Sequence, residues 1–393
     1  MQEKSNKKKN LKRALLIALI VFLIMIVLVI SVALILVNRL LNKINKVDPN
    51  EEYTMSSSEA DKFLENDPDL VPIDPDDTGT YPNLEDLVPG QRPTRPTVPA
   101  PTDPTQIPTG TVPTVPVPTD PTQPEDIPEI PDESEIYGKH LVNILLVGQD
   151  RLEGQSRQRS DTMLLVSFNK SDNTITLTSF MRDMYVQIPG YKPNRLNAAY
   201  AFGGMSLLKK TLDVNFGVKV DGVVEVDLSG FQKIIDLLGG VELNLTQAEA
   251  DYFNSKHYGV VVGPNLFNGR MALSYARVRK IDSDYGRTNR QRKLVAAVIE
   301  AYKDQPLDQM LKLLEEILPM VTTDMSNLKI LDYAMDLFPM IATAKINTLR
   351  IPADGTFDSG MVHIREGFYA WLQYNIDFEA NKAKLYEVFR RKD

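Results

Sequence analysis

The hydrophobic and polar positions of the chain fall into three regimes. Ala14 to Val37 carries no charged residue. At about 1.5 Å per residue a helix over that stretch spans roughly 36 Å, enough for the hydrocarbon core of a bilayer with some tilt. A cleaved signal peptide would have a shorter apolar region, about 7–15 residues, followed by small residues, and the stretch fits that poorly. From Pro68 to Pro131 no hydrophobic period survives, and most of the 26 prolines sit there. Beyond Tyr137 short apolar runs alternate with helical stripes to the C-terminus. The patterns predict strands at His140–Val147, Met163–Phe168, Thr174–Phe180, Val218–Val226 and Val241–Leu245, with a further strand at Ala272–Arg279 and another at Thr348–Ile351. They predict helices at Asn197–Leu212, Leu228–Leu238, Thr288–Tyr302, Leu307–Met320 and Asn327–Ile341, the second stopped by Gly239-Gly240. Interleaved strands and helices give an α/β class: a mixed central sheet with helices on both faces.

Four segments follow. Residues 1–13, with Lys4, Lys7, Lys8, Lys9, Lys12 and Arg13, form a basic tail; 14–37 is one transmembrane helix; 38–136 is a Pro/Thr/Asp-rich linker; 137–393 is one domain with a sizeable core. The basic flank places the N-terminus in the cytoplasm and the domain outside, although Arg39, Lys43 and Lys46 soften the asymmetry. Within the linker PTDPTQ occurs at Pro101–Gln106 and again at Pro118–Gln123. Proline fixes φ and removes backbone donors, so a disordered, extended segment is expected, apart from a short helical stretch around Ser56–Glu65. It reads equally as a stalk through a cell wall or as a passive spacer.

Composition narrows the chemistry. There is no Cys, only three His (His140, His257 and His363), and a formal net charge of -8. Disulfides, thiol nucleophiles and thiolate metal sites are excluded together. A metal, if used, is a hard oxygen-ligated ion such as Mg²⁺ or Mn²⁺. The acidic total argues against a nucleic-acid partner.

Against this background Asn268–Lys293 stands out, with Arg270, Arg277, Arg279, Lys280, Arg287, Arg290, Arg292 and Lys293. Guanidinium forks suit phosphate oxygens. On a strand Arg277 and Arg279 share one face. On the following helix Arg287, Arg290 and Gln291 fall at i, i+3 and i+4, and Gln291 continues the apolar stripe of Leu294, Val295, Val298, Ile299 and Tyr302. Arg270, Lys280, Arg292 and Lys293 default to the surface. If the first three strands form an antiparallel meander, Asp150, the Arg159-Ser160-Asp161 triplet and Arg182-Asp183 share one end of the sheet. Strand ends of this kind border the usual ligand crevices of α/β folds. Asp150 and Asp161 are the natural pair for a divalent cation, with turn and capping roles as the ordinary alternative for each.

The motifs NILLVGQD, RSDTMLLVSF, TLTSFMRD, RLNAAYAFGG, VVEVDLSGFQKIIDLLGGVELN, FNGRMALSYARVRK and GRTNRQRK, spread over Val142–Val298, resemble the successive motifs of the LytR-CpsA-Psr family. The resemblance implies a membrane-anchored domain that transfers a secondary glycopolymer, of teichoic acid or capsule type, from a polyprenyl (pyro)phosphate carrier to peptidoglycan. It implies metal-binding aspartates at Asp150 and Asp161. It implies phosphate-binding residues at Arg159, Arg182, Arg277, Arg279, Arg287, Arg290 and Gln291, with Asp183 as the acidic partner of Arg182. Met181 departs from the family's usual proline, and no accessory domain is expected between anchor and catalytic domain. Which of Asp150, Asp161 and Asp183 acts as base stays open. The helices Ala198–Leu212 and Leu307–Met340 are candidates to line a groove for the polyprenyl tail, with plain core packing as the commoner role of such stripes. A polyprenyl pyrophosphate hydrolase and a non-enzymatic wall anchor use the same features. A DNA-binding regulator conflicts with an external domain.

Overall fold

The structure is a computed structural model that describes residues 37–72, 81–90, 136–149, 157–282, 284–303, 305, 307–365 and 367–392. The basic tail, almost all of the expected membrane span and Asp150 lie outside them. Among the described residues no helix is long and apolar enough to cross a membrane.

The elements that position the site are, in chain order, α1 (Ser57–Glu65), β1 (Leu141–Gln149), β2 (Ser160–Asn169), β3 (Thr174–Phe180), α2 (Leu196–Phe216), β4 (Gly222–Asp227), α3 (Leu228–Leu237), β5 (Val241–Leu245), β6 (Gly263–Phe267), α4 (Gly269–Arg277), α5 (Asp284–Tyr302) and β7 (Lys345–Ile351). Seven strands form the central sheet, in the order Asn45–Lys46, Thr322–Thr323, β4, β1, β2, β3, β7. The meander expected of the first three strands is present: β1 pairs antiparallel with β2, and β2 with β3. β4 and β7 add parallel strands at either side of it. The class is therefore a mixed sheet covered by helices.

Alternation along β1 divides its side chains between two cores. Leu145 and Val147 join Met163 and Leu165 under α2. Val142, Leu164, Val166, Ile175 and Leu177 form the core of the opposite face, where Ile144, Leu146 and Val295 pack. A third core joins α3, α4 and the β5–β6 hairpin around Phe253, Phe267 and Tyr275.

Two glycines fix the placement of helices. At Gly269 an added Cβ would lie 2.1 Å from the Gln232 carbonyl oxygen, so only glycine lets α4 pack this closely on α3. Asn268 caps α4 through the Met271 N–H, and the Gly269 N–H donates to Asp236. Gly204 kinks α2 at φ +60°. Glu52 fits into the kink, accepting from the N–H groups of Met205 (2.8 Å) and Ser206 (3.0 Å).

That contact corrects the linker reading for the described residues 38–72, and 81–90 follow them. Asn45–Lys46 pairs with the sheet edge, α1 packs Phe63 on Phe202, and Val71–Pro72 pairs with Phe368–Tyr369. In 81–90, Tyr81 stacks on Tyr369 with ring centroids 4.6 Å apart. The described residues 45–72 and 81–90 thus belong to one folded body with the residues after 136. Packing of this kind, rather than an extended segment, joins the described residues 37–72 to the domain. The expected helix around Ser56–Glu65 is present, with Ser56 and Glu59 forming a capping box.

The stretch Ala272–Arg279, expected as a strand, is the end of α4 and its exit. Asn268 and Gly269 start a helix, and Ala272 and Tyr275 repeat at helical spacing on its buried side. Four or five residues of apolar and polar alternation fit either period.

Candidate functional site

A cavity of about 820 Å³ opens between the sheet face, α3, α4 and α5. Its inner wall is apolar, with Leu146, Leu164, Val224, Phe231, Leu273 and Leu294 among the lining residues. The wall thus comes from the sheet, α3, α4 and α5. For the α2 helix, core packing, the commoner role of its Met- and Leu-rich stripe, is what the structure shows, on the other face of the sheet; Asn197 is its one described residue on the cavity. No residue of 307–340 lines the cavity either.

The mouth is charged. Asp161, the second residue of β2, stands at its centre: Arg182 Nη1 donates to Asp161 Oδ1 at 2.6 Å, while Arg279 and Arg287 approach the same oxygen at 3.8 and 3.9 Å. Three arginines from three elements therefore meet one carboxylate, through β2–β3 pairing on one side and the α4–α5 corner on the other. Arg277, the last residue of α4, and Gln291 also border the cavity. Arg277 ends α4 and Arg279 follows the cap at Val278, so both reach the cavity from a helix exit rather than from a strand. The Gln291 amide donates to the Ala276 carbonyl at 3.3 Å, tying α5 to α4.

Arg290 is not on the cavity. It is 2 % exposed, pairs with both oxygens of Asp282 at 2.8 and 3.0 Å, and donates to the Val278 carbonyl at 2.6 Å. On α5 the i+3 position turns toward the loop that follows α4, whereas i+4 returns toward the sheet. Arg290 thus braces the Val278–Asp282 corner from which Arg279 projects. Asp183 is likewise buried and absent from the cavity wall, between Arg182 Nε at 3.4 Å and Arg195 Nη1 at 3.3 Å. Arg292, expected on the surface, is buried, and burial with Arg350 lowers its pKa to about 10.

Arg159 borders the cavity and donates to Asp67 at 2.5 Å while stacking on Phe63. Asp67 also holds Arg195, which donates to Asp69 at 2.7 Å. Asp69 lines the cavity and lies 3.6 Å from Arg182 Nη2. Asp67, Asp69, Arg195 and Asp284 were not among the expected site residues. The two aspartates flank Pro68, at the start of the proline-rich stretch, and lie about ninety or more residues from their arginines, where no local pattern reveals a partner. Asp284 heads α5 and binds Arg287 through Nε at 2.8 Å.

Electrostatics point the same way. Burial works against the Arg182 charge, but Asp183, Asp161, Asp69 and Asp284 outweigh it and hold its pKa above the ordinary value. For Arg287 burial dominates, and Arg182 and Arg279 add repulsion, so its pKa is lowered despite Asp284. Two neutral side chains at the mouth, Gln149 and Asn197, are buried with no hydrogen-bond partner for their amides among the described residues. Nε and Nη2 of Arg159 are in the same condition. Unmatched donors beside the cavity are suited to an entering polar group.

Fold and site together define an α/β domain with an apolar cavity under an arginine- and aspartate-lined mouth. The chain belongs to the LytR_cpsA_psr family, whose model matches residues 121–382. The polyisoprenyl-teichoic acid–peptidoglycan teichoic acid transferase TagU of Oceanobacillus iheyensis is 34% identical over 234 residues, 57% of this chain and 70% of that protein. Its namesake in Enterococcus faecalis is 36% identical over 167 residues, 41% of this chain and 54% of that protein. Regulatory protein MsrR of Staphylococcus aureus is 38% identical over 159 residues, 39% of this chain and 47% of its own length. The chain thus spans about half of the latter two. Among solved structures, TagT bound to LIIa-WTA superposes with a TM-score of 0.52 at 28% identity, over 64% of this chain and 91% of that one. TagV of B. subtilis gives 0.52 at 24% identity, over 64% and 98%, a likeness of fold.

Proposed function

We propose that this protein transfers a polyprenyl-(pyro)phosphate-linked secondary cell-wall glycopolymer, of teichoic acid or capsule type, to peptidoglycan. The observation that carries the reading is the cavity: an apolar chamber with a mouth lined by arginines and aspartates, a combination suited to a prenyl tail and its phosphates. In this reading Arg159, Arg182, Arg279 and Arg287, with Arg277 beside them, take the phosphate oxygens and Gln291 keeps α4 and α5 in register. A peptidoglycan hydroxyl attacks the phosphorus that bears the glycopolymer. The new O–P bond forms as the bond to the polyprenyl phosphate breaks, and the leaving group takes the electron pair. The arginines stabilise the charge that gathers there. The hydroxyl proton passes to a carboxylate at the mouth. Of the three candidates, Asp161 borders the cavity, Asp183 is buried behind Arg182, and Asp150 lies outside the described residues.

We also propose that Asp150 and Asp161 hold Mg²⁺ or Mn²⁺. Among the described residues no group of three His, Cys, Asp or Glu side chains is placed to hold a metal. Asp161 nevertheless fits such an ion: it is a hard oxygen donor on the cavity, where substrate phosphate would supply further ligands. When bound, the ion would neutralise phosphate charge. The domain would act outside the cell membrane, with residues 14–37 as its anchor and the N-terminus in the cytoplasm.

The test combines purified protein, a lipid-linked teichoic acid donor and peptidoglycan fragments. Covalent attachment with release of polyprenyl phosphate is the expected result, reduced about a hundredfold by chelation and restored by Mg²⁺. Phosphate release without attachment would identify a hydrolase and overturn the reading. Transfer indifferent to chelation would remove the metal from it.

A further inference from the structure

Five arginines at and behind the mouth of the cavity are already engaged by carboxylates. Arg159, Arg182, Arg195, Arg279 and Arg287 face Asp67, Asp69, Asp161, Asp183 and Asp284. Beyond the unmatched donors of Gln149, Asn197 and Arg159, a dianionic head entering such a cluster gains attraction by taking an arginine donor from a resident carboxylate. The five carboxylates are unequal in this respect. Asp67, whose side chain is 6% exposed, is locked between Arg159 and Arg195. Asp183 lies buried behind Arg182, and Asp284 is fixed to Arg287 in the first turn of α5. Asp161 is shared by three arginines. Asp69 is the most open of the five, with 32% of its side chain exposed. Its grip on Arg182 is also long, at 3.6 Å, against 2.7 Å to Arg195.

The backbone that carries Asp69 is held at both ends. Before it, the Asp67 N–H donates to the Leu64 carbonyl at the end of α1, and Asp67 accepts from the Asp69 N–H at 2.9 Å. After it, Val71–Pro72 pairs with Phe368–Tyr369. The segment is therefore a built part of the wall, and the side chain is what can yield.

We propose that Asp69 is a specificity-determining residue: a resident anion on Arg182 that the phosphate of an entering lipid diphosphate displaces, while Asp69 keeps Arg195. The inference rests on the transfer reading and adds to it a residue from the start of the proline-rich stretch. It makes Asp69 a brake on head-group affinity, and its return to Arg182 favours departure of the spent lipid phosphate. Burial opposes ionisation of Asp69, but Arg182 and Arg195 hold its carboxyl below the usual range, so the placeholder is charged at neutral pH.

The experiment is calorimetric titration of the detergent-solubilised full chain with geranylgeranyl diphosphate, for wild type, Asp69→Asn, Asp69→Ser and Arg182→Gln. Removing the carboxylate is expected to tighten binding about tenfold in both Asp69 variants. Arg182→Gln is expected to weaken it. Unchanged or weaker binding in the folded Asp69 variants, with wild type binding and Arg182→Gln impaired, overturns the placeholder and leaves the transfer reading standing. Failure of wild type to bind, or binding indifferent to Arg182, overturns the transfer reading and the placeholder with it.

Discussion

Replacing Arg182 by Gln is expected to lower glycopolymer transfer between about a hundredfold and a thousandfold, the loss that follows removal of one preorganised donor from a charge-stabilising site. Arg182 is the arginine on which the whole mouth depends: it touches Asp161, Asp183 and Asp69, and four carboxylates keep it charged against burial. Its removal also leaves Asp161 with only the two longer contacts to Arg279 and Arg287. Part of the effect is therefore disorder of the mouth rather than loss of one bond. Initial rates with lipid-linked donor, beside a thermal melt to verify folding, make the check. The exposed Lys293 supplies the control, since its replacement by Ala leaves the mouth untouched. A folded Arg182→Gln protein working within threefold of wild type would remove Arg182 from the phosphate site.

The second large effect concerns the tail. Ala276, on the cavity-facing side of α4, leaves room that a ring would fill. Ala276→Phe is expected to weaken binding of a long polyprenyl diphosphate about a hundredfold and to leave inorganic pyrophosphate unaffected. Burial of a methylene is worth about 0.8 kcal/mol, so excluding even part of one isoprene unit costs roughly 3 kcal/mol. The hydrogen bond from Gln291 goes to the Ala276 backbone and survives the change. Competition binding against both ligands reads the split. Equal loss for both would mean that the ring disturbs the head site and that the cavity does not hold the tail.

Much of this was legible in the chain. The neighbouring apolar runs Met163–Phe168 and Thr174–Phe180 do pair as the supposed meander, and with it Asp161 and Arg182 meet at one end of the sheet. The break after α3 was legible too, since Gly239 and Gly240 adopt φ of +76° and +100°. Two kinds of information were not. The direction of a side chain from a helix flank depends on what packs beside it: Arg290 and Gln291 are neighbours in sequence, yet one braces a corner and the other borders the cavity. Pairing across a long insertion was also invisible. Asp67 and Asp69 sit in an acidic stretch whose composition reads as linker, and only the fold brings them to Arg159, Arg195 and Arg182. The hairpin of Asp358–Arg365 with Phe368–Tyr374 and the helix Phe378–Phe389 likewise went unread. The hairpin strands lack strict alternation of buried and exposed positions, and the apolar residues of the helix do not gather on one face, so neither carries a strong period.

The central claim is that the cavity holds a prenyl chain with its phosphates on the arginines of the mouth. Mass spectrometry of lipid retained by the full-length protein, purified in mild detergent from a Gram-positive membrane, tests it most directly. The account predicts a polyprenyl phosphate or diphosphate, with or without attached sugars, that is depleted in Arg182→Gln and in Ala276→Phe. Bulk phospholipid alone, retained equally by wild type and both variants, would contradict it.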